Sequence, residues 1–574
     1  MKKIVVFSLA LILFVSSLSG NPLARIYQVD DPVYKKVESL SLEAGIVPFS
    51  SSGPVSGYEL EINLNQIDTE KLSVSSKKSY IDVLNQIKNP YNGRIWGGNL
   101  KASLEGYLNT NNQFKYYDWV EGYNQRKPLI YGEAETIFGN SYAIISYAYQ
   151  KRFSEQFFEG FNSNNMFGSK TTSSSAQNSL PHTAFLGLSG SWYTVTAGRD
   201  SIRLGRGSTG NLMVNDHVPY HDFIELRLFN KKIKYTFLAL PMNELITQQF
   251  LENIYGDDWS DYEEKLGTGY YPKSYDKAGY WDTLFYGTKR RTYIAHRAEL
   301  DLLSWWRLTL TEGTMFYTDT TDLRMFSPLL FLHNYQNFGE VNNSMGLETE
   351  LALSPKWALN FQFFLDQFQT KGEQGSYGNM PPNAYAFLIG TRFTYPLKDW
   401  QLNGYFEGAY TSPFAYLRTN DNTHNYSDDE EHEKTQYNLD FVHVVNSYDS
   451  FTGVNWLGYP YGPDSIVVAT EINSSYKDLL KITSLARFII QGQNGLKIHN
   501  KNQVVELFDD PKKINPSTPY GSNPTYTLIL GLGILTNIPK TNLSIYVRNY
   551  WLNRWDNTTH LFDYQLTMGV SYFL

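Results

Sequence analysis

From Ile95 onward, apolar and polar residues alternate with a period of two. Trp96, Gly98, Leu100, Ala102, Leu104 and Leu108 interleave with Asn99, Lys101, Ser103 and Glu105. A strand turns successive side chains to opposite faces, so this segment predicts a strand with one apolar and one polar side. The same alternation closes the chain: Tyr564, Leu566, Met568, Val570, Tyr572 and Leu574 point one way, and Gln565, Thr567, Gly569 and Ser571 the other. Eighteen such segments can be marked: 95–108, 129–139, 141–150, 182–189, 191–199, 223–229, 231–240, 291–302, 305–313, 345–353, 356–366, 384–394, 400–410, 465–475, 479–491, 525–536, 541–552 and 563–574. Most approach the roughly 9–11 residues that a tilted membrane-spanning strand needs.

The connections carry as much information as the strands, because short and long ones alternate strictly. Ser354-Pro355-Lys356-Trp357 is typical of the short ones, and the long ones include 151–181, 200–222, 241–290, 314–344 and 411–464. Short periplasmic turns and long external loops are the pattern of an outer-membrane barrel, and an even strand count returns both ends to one side. Lipid offers no hydrogen-bond partners, so such a sheet must close on itself. The expectation is an all-β transmembrane barrel of about 18 antiparallel strands over residues 93–574.

Residues 21–92 break the period and predict a small helical periplasmic segment. Asp31-Pro32 is a helix start; Val33, Val37, Leu40 and Leu42 share helical spacing, and Gly45 can end the helix. Two further helices are expected near Tyr58–Ile67 and Ser76–Lys88, and a plug-like extension is the alternative reading. Residues 1–20 read as a signal peptide, with Lys2 and Lys3 before the apolar run Ile4–Val15 and cleavage near Ser19 or Gly20. No later run reaches about 18 apolar residues, which excludes membrane-crossing helices.

Composition sharpens the picture. Aromatic residues make up 16% of the 574 and charged residues only 18%, a pairing that suits a lipid-facing belt and a polar interior. There is no cysteine, hence no disulfide framework or Cys-based metal site. The net charge of -8 speaks against non-specific nucleic-acid binding.

The segment Ala197–Phe223, with Gly198-Arg199, Gly205-Arg206-Gly207 and Leu212–Asp216, resembles the signature of the capsule-assembly Wzi family. The stretches Ala295–Tyr317, Met345–Phe368 and Tyr459–Gly495 are similar to that family too, while Leu204 stands where an aromatic is common and Arg206 where Pro is common. The resemblance implies an eighteen-stranded barrel with a periplasmic helical bundle. Its implied role is lectin-like: binding or organising capsular or extracellular polysaccharide at the cell surface. The expected partners are an acidic polysaccharide, outer-membrane lipid and, during biogenesis, the barrel-assembly machinery. A passive porin and an outer-membrane hydrolase are the alternatives.

Arg199, Arg203 and Arg206 fall at a strand end and in the following external loop, where guanidinium groups suit uronate or phosphate oxygens; Asp200 and Asp216 can orient them or bond sugar hydroxyls. The competing reading is an internal salt-bridge network at the barrel mouth. Trp259, Tyr271 and Trp281 stand in one aromatic loop, and Trp456 in another that also holds Tyr459 and Tyr461. Such rings stack on the apolar faces of sugars, or else pack loop on loop. Arg297, Glu299, Asp301 and Arg307 share the polar phase of adjacent strands and predict a lumenal network. The acidic run Asp428, Asp429, Glu430 and Glu431 lacks calcium-loop spacing and reads as a solvated loop. No cofactor, metal or catalytic motif is expected.

Overall fold

The computed structural model describes residues 20–111, 119–121, 126–151, 183–218, 220–242, 290–318, 341–368, 383–417, 437–447, 451–477, 479–493 and 517–574, with a few short loop pieces between them. The leader expected over residues 1–20 lies outside these, Gly20 excepted, as does the acidic run 428–431.

Eighteen strands form one closed antiparallel sheet. In chain order they are β1 (Trp96–Asn109), β2 (Ile130–Phe138), β3 (Ser141–Lys151), β4 (Ala184–Ser189), β5 (Tyr193–Asp200) and β6 (His221–Phe229). β7 (Ile233–Met242), β8 (Arg290–Leu303), β9 (Trp306–Thr318), β10 (Val341–Ser354), β11 (Trp357–Gln367) and β12 (Ala384–Leu397) follow. The set ends with β13 (Trp400–Thr411), β14 (Ser465–Tyr476), β15 (Leu480–Gln491), β16 (Thr525–Asn537), β17 (Leu543–Trp555) and β18 (His560–Phe573). Each pairs with its chain neighbour, and β18 closes on β1 from Gln565 opposite Asn109 to Phe573 opposite Lys101. Closure satisfies the backbone groups that an edge would leave bare.

The phase of the alternation is visible in β18. Met568, Val570 and Tyr572 face outward, while Asp563, Gln565, Thr567 and Ser571 are buried in the lumen. The outer wall carries Leu104, Leu186, Ile389, Leu530 and many similar residues. Trp96, Trp192, Trp305, Trp357 and Trp400 are exposed at the end with the short turns, where amphipathic rings suit a membrane interface. β9 and β10 extend several residues past the expected limits, since Met315, Phe316 and Val341 continue the ladder beyond where the alternation in sequence fades. No helix among the described residues is long and apolar enough to cross a membrane.

Residues 20–92 fold into α1 (Pro32–Ala44), α2 (Gly57–Leu64) and α3 (Val74–Lys88) around a core of Tyr27, Val37, Leu40, Leu60, Leu64, Val83 and Ile87. Asp31 caps α1, its side chain accepting from Val33 N at 2.7 Å, and Gly45 ends it in the left-handed region at φ 72°. Gly45 also lies against the short β10–β11 turn, where an added Cβ would sit 3.3 Å from Pro355 N. The backbone of Lys356 in that turn donates to Leu42 O at 2.7 Å. Val47 N donates to Ser304 O in the β8–β9 turn at 2.9 Å, and Asn21 N to Gly139 O in the β2–β3 turn at 2.8 Å. The helical unit therefore covers the short-turn end of the barrel. It is helical and plug-like at once, because the segment Ser50–Ser56 enters the lumen.

Candidate functional site

The site is built from two connections that have no periodicity of their own. From the short-turn end comes Ser50–Ser56. From the long-loop end, the β5–β6 connection turns inward at Gly205, where φ is 118° and an added Cβ would sit 2.4 Å from Asn211 Oδ1, so only glycine fits. The two meet inside the barrel: Arg203 and Leu204 pair antiparallel with Gly53 and Ser52, and Gly205 N donates to Ser51 O at 2.8 Å. Leu204, Leu212, Met213 and Val214 are buried there. Ser208 N and Thr209 N donate to Glu407 of β13 at 2.8 and 2.7 Å, fixing the next turn to the wall. Tyr416, Phe441, Trp456 and Tyr459 fill the lumen above, and the Tyr416 hydroxyl donates to Leu212 O at 3.0 Å.

Charged side chains on β6 to β10 bind the inserted segments. Glu299 accepts from Ser51 N at 2.8 Å and from the hydroxyls of Ser51 and Ser52 at 3.1 and 3.0 Å. Arg297 Nε lies 3.5 Å and Arg307 Nη1 3.6 Å from the Glu299 carboxylate. Arg297 also forks onto Glu348 at 2.5 and 2.9 Å, and Arg307 reaches Asp301 at 2.6 Å. The structure thus brings Arg297, Glu299, Asp301 and Arg307 into one network, with both arginines and Glu299 fully buried. On α2, Glu59 completes a capping box with Ser56 and simultaneously faces Lys234 at 2.7 Å and Arg227 at 3.6 Å.

Arg206 is buried and binds Glu38 of α1, Glu350 of β10 at 3.2 Å and the Ser50 carbonyl. Arg203 lies 3.5 Å from Glu38 and 3.9 Å from Asp216. Arg392 of β12 reaches Glu350 at 2.5 Å. Burial pushes the Glu38 carboxyl up, but Arg206, Arg203 and Arg392 outweigh it and hold the group below the usual glutamate range. Burial acts against ionised Glu59 in the same way, and Lys234 and Arg227 again win. Between these groups lies a cavity of about 300 Å³, lined by Arg203, Arg206, Arg392, Asp216 and the Gly207–Gly210 turn. Burial lowers His217 at its edge to about 3, leaving the arginines as its cations at neutral pH.

These positions correct the expectation that Arg203 and Arg206 project into an external loop. Their loop folds inward, since its buried Leu204, Leu212 and Val214 find an apolar core only inside the barrel. Arg199 stays at the mouth, forked onto Asp222 at 2.7 and 2.9 Å and lying 3.8 Å over the Tyr220 ring. Trp456 is not an exposed stacking platform either: it is buried, 6.2 Å from the Tyr416 ring. Trp259, Tyr271 and Trp281 lie outside the described residues. Glu38, Glu59, Glu350, Arg392 and Glu407 were not singled out from sequence. The polar phase of β10 and β12 is a signal that places Glu350 and Arg392 in the lumen, but nothing local marks Glu38 as a partner 168 residues from Arg206.

No family model and no curated protein matches the chain in sequence. Its structure is similar to that of Wzi of Escherichia coli, described as an outer-membrane protein involved in group 1 capsule assembly and a carbohydrate-binding β-barrel. The TM-score is 0.54 at 12% identity, over 95% of this chain and 98% of that one. The fold is that of an outer-membrane β-barrel. The chain also resembles OccAB4 of Acinetobacter baumannii (TM-score 0.38, 7% identity, 83% of this chain and 97% of that one). OprD of Pseudomonas aeruginosa gives 0.35, 8%, 83% and 95%. An outward apolar wall of this kind is the face that a membrane barrel turns to lipid.

Proposed function

We propose that this protein sits in the bacterial outer membrane and binds or organises acidic capsular or extracellular polysaccharide at the cell surface, as a lectin-like barrel and not as an enzyme. The observation that carries this reading is the lumen's obstruction by inserted segments. A passive channel needs an aqueous bore, whereas here the helical unit and the inward β5–β6 connection meet across the interior. The likeness to a carbohydrate-binding barrel, which extends over 95% of the chain, supports it further. The polymer would be met by the external loops, through Arg199 at the mouth and the aromatic residues Trp259, Tyr271 and Trp281. Deleting the gene should release cell-bound polysaccharide into the medium, and the Trp259→Ala, Tyr271→Ala, Trp281→Ala variant should do the same at normal barrel yield. Unchanged retention in the deletion strain would refute the reading.

One observation favours a solute path instead. The lumenal side chains Lys101, Glu105, Gln401, Asn403, Glu471, Asn473, Thr483 and Arg548 are only half-buried. Steady, large single-channel currents in planar bilayers would support that alternative.

A further inference from the structure

Arg203 and Arg206 stand three residues apart in the same inward loop, yet their surroundings differ. Arg206 is held by two carboxylates and a carbonyl. Arg203 has looser ion pairs, its nearest carboxylate oxygens at 3.5 and 3.9 Å, and lies 5.9 Å from the Tyr34 ring. A guanidinium is a planar fork of five donors, and no carboxylate comes closer than 3.5 Å to that of Arg203. Arg392 spends one nitrogen on Glu350, at 2.5 Å. Both arginines line the cavity of about 300 Å³, with Ser208, Thr209, Asn215 and Asp216 around them. Arg392 and Asp216 are half-buried, so solvent reaches it.

The lining therefore has two parts. The two guanidinium groups call for a planar, two-oxygen anion, which they grip bidentately. Beside them the Ser208 hydroxyl and the Asp216 carboxylate match ring hydroxyls, while Thr209 and Asn215 are already bonded to Glu407 and Asn211. A free inorganic anion would satisfy the first part and leave the second empty. The volume falls at the lower end of small-ligand pockets, roughly 300–1,000 Å³, enough for one sugar unit and not for a polymer.

We propose that this cavity is a binding site for a single uronate residue, its carboxylate held by Arg203 and Arg392 and its ring hydroxyls by the Ser208 hydroxyl and the Asp216 carboxylate. The site lies between the periplasmic helical unit and the inward loop, so its ligand is a free sugar acid or a chain end inside the barrel, distinct from polymer held by the external loops. The proposal deepens the polysaccharide reading and rests on it for its choice of sugar.

Calorimetry on the purified, folded full-length barrel with glucuronate, glucose and inorganic phosphate tests it. Glucuronate should bind, phosphate more weakly, and glucose without measurable heat. Arg203→Gln and Arg392→Gln should each weaken glucuronate at least tenfold. Ser208→Phe, which fills the cavity without removing a charge, should do the same and covers the case in which Arg203→Gln fails to fold. No heat from glucuronate, equal binding of glucose, tighter binding of phosphate, or folded variants that bind like the parent would each overturn it. Failure here is separable from failure of the surface role. A barrel that binds glucuronate but retains no polymer on cells refutes the surface role alone. A barrel that retains polymer while the three variants bind glucuronate normally refutes the cavity alone.

Discussion

The two walls of the lumen are built from the same kinds of residue in the same alternation, yet they differ in state. On β6 to β10, Glu225, Arg227, Lys234, Arg297, Glu299, Arg307, Glu348 and Glu350 are all buried, in ion pairs that connect to the inserted segments. On β13 to β18 and β1, Gln401, Asn403, Glu471, Asn473, Thr483, Arg548, Lys101 and Glu105 remain half-buried. On the first wall an ion that loses its partner has no water to replace it. On the second, a neighbour such as Asn473, which donates to Glu471 at 2.6 Å and accepts from Thr483 at 2.7 Å, can exchange with solvent. Charge in this interior is locked into buried ion pairs where the helical unit packs, whereas the opposite wall also carries polar groups that solvent reaches.

The sharpest break comes at the dry wall. Arg297→Ala leaves Glu299 and Glu348 buried without one of their cations, which should cost about 3–5 kcal/mol. Denaturant titration of the folded barrel, followed by heat-modifiable gel mobility, should show the loss. The lipid face gives the next largest effect. Leu104→Arg, outward in β1, should cost roughly 2–4 kcal/mol if it lies near the bilayer midplane, seen as reduced outer-membrane yield.

Acid should separate the walls without any substitution. Glu38 and Glu59 are held below the usual glutamate range, so the stability they contribute is full above that range. It is lost as pH falls through their lowered folded values. Proteolysis or hydrogen exchange of residues 20–92 should therefore quicken below about pH 4, the ordinary glutamate value being about 4.3, while the strand amides stay protected. Glu59→Gln should bring part of that loosening up to neutral pH. The smallest effect is expected at Asn473→Ala, within about 0.5 kcal/mol by the same titration, because water replaces the lost bonds. A cost there equal to that of Arg297→Ala would abolish the distinction between the walls.

The barrel was legible from the chain because its cause is local. Side chains on a strand alternate with period two, and lipid on one side and polar lumen on the other impose that period on the sequence. The strands, their pairing order, the phase of β18 and the helix signals at Asp31 and Gly45 all follow from residues near one another. The lumen contents do not. Ser50–Ser56 and the β5–β6 connection have no period, and each is polar enough to pass for a solvated loop. Their burial is decided by partners far along the chain: Glu299 for Ser51, Glu350 and Glu38 for Arg206, and Lys234 for Glu59. The sequence by itself determined the wall and which side chains face inward. Only the tertiary structure decided which of those meet water and which meet an ion, because a buried charge is tolerable only where a distant partner arrives to pair it.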